Sequence, residues 1–157
     1  MAYLRFIFSF MVLSTLITSS FAAGNHLVLK SKKASFDDIK SNVTEALTGR
    51  GLVINNTSHI SDMLARTGKD LGGKKQVYQK AELLEFCSAT VSRATMEADP
   101  TNIVFCPYII AIYVLPQDPQ KVYVGFRRPE LVGSSASKKS LKEVEKLLND
   151  IVAEALQ

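Results

Sequence analysis

Cysteine and histidine are scarce in this chain, with two of each in 157 residues. Neither cysteine sits in a C-x-x-C redox motif, a C-x-x-C-H haem-attachment motif or a four-ligand zinc pattern. The G-x-S-x-G elbow, H-E-x-x-H, the P-loop and the dinucleotide fingerprint are absent too. Their absence removes the sequence support for classical hydrolases, zinc proteases and nucleotide-dependent enzymes. No block of lysine and arginine with interleaved aromatics occurs, and the net charge of +4 is spread along the chain. Nucleic-acid binding is therefore not expected. There are no internal repeats or low-complexity tracts, and the length suits one ordinary domain with a real core.

The N-terminus carries an export pattern. Arg5 is followed by a mostly apolar run from Phe6 to Ile17, a polar Thr18-Ser19-Ser20 patch and the small-x-small site Ser20-Phe21-Ala22. The run is about 12 residues, short of the roughly 20 that span a bilayer as a helix. Residues 1–22 thus read as a signal peptide cleaved near Ala22, with no stable membrane span afterwards and a periplasmic or secreted mature protein. No cysteine follows the run to serve as a lipoprotein anchor. Cleavage removes one basic and no acidic residue, so the mature chain stays mildly basic.

Compartment changes what Cys87 and Cys106 mean. In an oxidising compartment two cysteines persist as a disulfide, whereas in a reducing one they read as metal ligands or reactive thiols. A bridge would close a loop of about 20 residues, worth about 3 kcal/mol in the chain-entropy model. Its ends can meet if the intervening segment is helical, with Cys87 ending one strand and Cys106 beginning another.

Local patterns support that geometry. Leu27 to Lys30 is a short strand. Ser35 caps a helix with Asp37 and Asp38 in its first turn and Phe36, Ile39, Val43 and Leu47 on one face. Gly49 and Gly51 stop it, and Leu52-Val53-Ile54 opens a second strand, giving a β-α-β beginning. Ile60, Met63 and Leu64 share helical spacing before Gly68, Gly72 and Gly73. Val77 to Phe86 is predicted as a strand, and Ser88 as the cap of a helix over Ala89 to Ala98, ended by Asp99-Pro100. The apolar stretch from Pro107 to Leu115, the turn Gln117-Asp118-Pro119-Gln120 and the alternating Lys121 to Phe126 predict an antiparallel hairpin. After a linker over Gly133 to Ser137, Ser140 and Glu143 form a capping box. Leu141, Val144, Leu147, Leu148, Ile151, Val152 and Ala155 then draw the stripe of a C-terminal amphipathic helix over 138–157, packed on the domain.

These residues carry a resemblance. Asn56 to Gly72, Phe86-Cys87-Ser88-Ala89-Thr90-Val91-Ser92-Arg93, Met96-Glu97-Ala98-Asp99-Pro100, Phe105-Cys106-Pro107-Tyr108 and Val122 to Pro129 resemble the domain of unknown function 302 family, in an exported bacterial branch. The resemblance implies a compact α+β domain over 27–131, an antiparallel sheet packed against helices in two layers. It implies no activity. The final helix lies outside the expected family pattern, and Cys106 is not a family-wide expectation.

Three chemistries remain. The first is a non-enzymatic binding or accessory module: Ser88, Arg93, Tyr108 and Arg127, with Cys87, would converge near a helix N-terminus to hold a small anionic or sulfur-containing ligand. The second is thiol redox, with Cys87 as a nucleophile aided by the helix dipole and Arg93, and Cys106 as its partner. The third is a soft metal or haem site at His59 and Met63, four residues apart, with Met96, His26 or a thiolate. Histidine before a helix is ordinarily a cap and methionine at that spacing ordinarily packing, so no metal residues are assigned. Nor are catalytic residues, a cofactor or an oligomeric state.

Overall fold

The computed structural model describes residues 27–157. The signal peptide expected over residues 1–22, and His26, lie outside the described residues. In chain order the elements are β1 (Leu27–Lys33), α1 (Phe36–Thr48), β2 (Val53–His59), α2 (Ile60–Asp70), β3 (Lys80–Cys87) and α3 (Ala89–Ala98). A 3-10 turn (Pro100–Phe105), β4 (Tyr108–Leu115), β5 (Asp118–Arg127) and α4 (Ser135–Ala155) complete the fold. The strands form one antiparallel sheet in the order β1-β5-β4-β3-β2. The expected α+β architecture is the one observed. β1 and β2, which flank α1, lie at opposite edges of the sheet, so the β-α-β opening is not a paired unit.

Alternation divides the sheet into two unlike faces. Tyr108, Ile110, Ile112 and Val114 of β4 and Val122, Val124 and Phe126 of β5 are buried against the helices. Phe36, Ile39, Val43 and Leu47 of α1 and Val144, Leu148, Ile151 and Val152 of α4 supply the opposing surface. Each such Ile, Leu, Val or Phe contributes about 1.5–3 kcal/mol of burial. On the other face Leu27 and Leu29 of β1 and Ile109 of β4 stay exposed.

Local signals set most boundaries. Ser35 Oγ accepts the Asp38 N–H at 3.0 Å to start α1, and Gly51 beyond its end takes φ +69°. Ser88 Oγ accepts the Val91 N–H at 3.3 Å and starts α3 where expected. The Ala-Glu-Leu-Leu-Glu segment, compatible with helix on its own, is strand because it pairs on both sides, with β2 and β4. Two segments depart from expectation. The 3-10 turn follows directly on α3, with Asp99 Oδ1 accepting from Thr101 N–H at 3.0 Å and Thr101 Oγ1 at 2.7 Å. The final helix begins at Ser135 rather than at the Ser140 capping box. Ser134 caps it by accepting the Ser137 N–H at 3.2 Å, and Ser140 sits inside, donating to the Ser137 carbonyl at 2.8 Å. Nothing between Ser135 and Ser140 breaks a helix, so it extends back to Ser135, with Gly133 at φ +77° just ahead of the Ser134 cap.

Candidate functional site

The ends of β3 and β4 place the two cysteines together. Phe86 pairs with Tyr108, so Cys87, one step beyond, meets the residues just ahead of β4. The Cys87 thiol lies within electrostatic reach of Cys106 and of the Tyr108 backbone. Cys106 Sγ donates to Ser92 Oγ at 3.5 Å, and Ser92 Oγ donates to the Tyr108 hydroxyl at 3.2 Å. Two thiols and two hydroxyls therefore form one cluster beside the first turn of α3. Both cysteines are partly exposed free thiols, so the expected staple is not closed in this structure. Burial, then the neighbouring Cys106, push the Cys87 pKa up, which keeps this thiol protonated at neutral pH. Burial also pushes the Tyr108 pKa up to about 12, partly offset by the Ser92 hydrogen bond and reinforced by Cys106.

A second feature lies on the uncovered face of the sheet. A cavity of about 460 Å³ is lined there by Leu27, Leu29, Ile109, Ala111, Tyr113 and Arg127, and it reaches round the end of the sheet to Tyr108, Phe126, Val144 and Leu148 of the helix-covered side. At one end Tyr113 stacks on Tyr123 with centroids 5.1 Å apart and meets the edge of Tyr78 at 5.4 Å. At the other end Arg127 borders both this cavity and a neighbouring one walled by Thr101, Val104 and Phe105. Its guanidinium has no hydrogen-bond or ion-pair partner among the described residues.

The residues singled out in the sequence thus divide. Cys87, Cys106 and Tyr108 come together, and Tyr108 and Arg127 both line the large cavity. Ser88 is buried and occupied as the α3 cap. Arg93 does not join them. Its side chain is 80% exposed and bonded to Glu97 at 2.7 Å, because positions four apart on a helix face meet in solvent. The anion site expected at Ser88 and Arg93 is therefore not assembled there. His59 faces Glu82 at 3.3 Å rather than Met63, and among the described residues no group of three His, Cys, Asp or Glu could hold a metal. Sequence inspection missed Ser92 and the tyrosine stack. Ser92 was findable as the residue one turn after the Ser88 cap, and Tyr113 and Tyr123 as partners across the predicted hairpin.

The fold and this arrangement define a two-layer α+β domain with one helix-covered and one open sheet face. Residues 27–155 match the family model for Domain of unknown function DUF302, and the chain belongs to that family. The match runs through α4, so the final helix is inside the family domain rather than outside it. A crystal structure of an uncharacterized conserved DUF302 protein from Bacillus stearothermophilus has the same fold, with a TM-score of 0.69 at 16% identity. The alignment covers 85% of this chain and 99% of that one. No curated protein matches the chain.

Proposed function

We propose that this protein is an exported, non-enzymatic binding module for a small amphipathic anion, a molecule with an apolar or aromatic body and one negatively charged group. The observation that carries this reading is the open-face cavity with the unpartnered Arg127 guanidinium at its rim. Its volume of about 460 Å³ lies in the range of small-molecule sites, which are mostly apolar with a few placed polar groups. Tyr78 and Tyr113 would accept a flat apolar body, and Arg127 would receive the anion in a charge-assisted pair. Export through residues 1–22 rests on their sequence pattern. In an oxidising compartment the adjacent Cys87 and Cys106 would close into a disulfide beside Phe105 and Pro107 of the cavity wall.

The test is fluorescence titration with anilinonaphthalene sulfonate, an amphipathic anion. Saturable one-to-one binding is expected, weakened about tenfold in Arg127→Gln by loss of the charge-assisted bond. Ala111→Phe, which fills the cavity from its floor, should abolish binding while leaving the circular dichroism spectrum unchanged. Binding that survives both substitutions would place the ligand elsewhere.

A further inference from the structure

We propose that Cys87 and Cys106 form a reversible thiol–disulfide exchange site for low-molecular-weight disulfides, in which Cys106 attacks and Cys87 resolves. This goes beyond the cavity and needs no ligand there. The pair is brought together by strand register: β3 and β4 are locked by seven residue pairs from Lys80↔Val114 to Phe86↔Tyr108, and the thiols lie just past the end of that ladder. Their proximity therefore follows from where β3 ends and β4 begins and does not depend on a bond between them. Both cysteines are only partly buried, which leaves the pair open to a small reagent.

The fold also holds the intervening segment without a bridge. Buried Asn102 donates to the Thr95 carbonyl at 3.0 Å and to Ser137 Oγ at 2.9 Å, tying the 3-10 turn to α3 and α4. Ser88 and Asp99 cap the two helical pieces. A bridge that is not needed to position residues 88–105 is free to open and close.

The roles follow from surroundings. Cys106 lies outside the strands, and its sulfur touches Ser92 Oγ in the first turn of α3. That hydroxyl can turn to donate to the sulfur as it attacks. Burial and the sulfur neighbour both oppose ionisation of Cys87, which suits it to the second step, after Cys106 has been engaged. In the exchange, Cys106 gives its proton to solvent and its thiolate attacks one sulfur of R–S–S–R. The S–S bond breaks, and the departing thiolate takes up a proton as R–SH. Cys87 then loses its proton and attacks the Cys106 sulfur of the mixed disulfide, expelling the second R–SH. Two protein thiols are oxidised to one disulfide and one small disulfide is reduced to two thiols. Excess R–SH reverses both steps.

The experiment equilibrates the purified chain with mixtures of glutathione and its disulfide, quenches with acid, alkylates free thiols and weighs the products. In the wild type both thiols should disappear together as the disulfide fraction rises and return in excess glutathione. Cys87→Ser should accumulate a mixed disulfide at Cys106, while Cys106→Ser should be modified at least about tenfold more slowly. Thiols that stay alkylatable at every ratio, or a bridge that excess glutathione does not open, would overturn the exchange site. Equal rates in the two variants would overturn the assignment of roles. The wild-type measurement decides the first point even if a variant fails to fold, and none of these readouts depends on whether the cavity binds a ligand.

Discussion

Asn102 and Ser137 exchange hydrogen bonds in the interior, the amide donating to Ser137 Oγ at 2.9 Å and the hydroxyl donating back to Asn102 Oδ1 at 3.3 Å. They are 1% and 0% exposed, so no water replaces a lost partner. Asn102→Ala removes these bonds together with the one to the Thr95 carbonyl. It should cost about 2–4 kcal/mol, because the buried Ser137 hydroxyl loses both its bonds to Asn102 and the Thr95 carbonyl keeps only the Asp99 N–H. Ser137→Ala keeps the Thr95 bond and should cost less. Urea unfolding at equilibrium with a shared slope tests the order, and an Asn102→Ala loss no larger than that of Ser137→Ala would contradict it.

Gly125 is required by the approach of β1. A Cβ added there would meet the Val28 carbonyl oxygen at 2.6 Å and Leu29 Cδ1 at 3.0 Å. The carbonyl is backbone in a strand paired with β5, so it cannot rotate away as a side chain could. Gly125→Ala should therefore shift or detach β1 and cost about 1–3 kcal/mol as overpacking. Leu27 and Leu29 of β1 line the cavity, so the same change should weaken anilinonaphthalene sulfonate binding. Amide exchange would show it locally as lost protection in Leu27–Lys33 with α4 protected as before.

How far these features were legible depends on the length scale of the physics that fixes them. The Ser35 and Ser88 caps and the β4–β5 hairpin are local, and each was predicted within a few residues. The start of α4 was missed because two serine caps, Ser134 and Ser140, compete in one stretch, and the upstream one wins by adding helix that Asn102 then anchors at Ser137. Strand order is non-local, which is why β1 and β2 could not be seen to lie at opposite edges. In the site, Cys87 and Cys106 were legible as neighbours from the strand-helix-strand pattern. Arg93 was assigned to an anion site on proximity in sequence to the helix start, but the i, i+4 geometry that pairs it with Glu97 carries it out to solvent.

Tyr108 offers the sharpest pH prediction. Burial raises its pKa from 10.0 to about 12, against the Ser92 hydrogen bond and with the help of Cys106. Between about pH 10 and 12 the unfolded chain has released a phenol proton that the folded chain still holds. Unfolding then releases that proton, so rising pH favours the unfolded state. The contribution is complete below about pH 10 and is lost as the pH climbs to about 12. Phenolate absorbance should show one transition delayed to the alkaline end of this window, missing in Tyr108→Phe. The variant forfeits the Ser92 bond at a cost of about 1 kcal/mol, but its stability should fall less steeply with alkali than the wild type's. Tyr113 is also raised by burial, so the variant is what assigns the last transition. If Tyr108→Phe titrates like the wild type, the buried phenol of the thiol cluster does not hold its proton as this geometry requires.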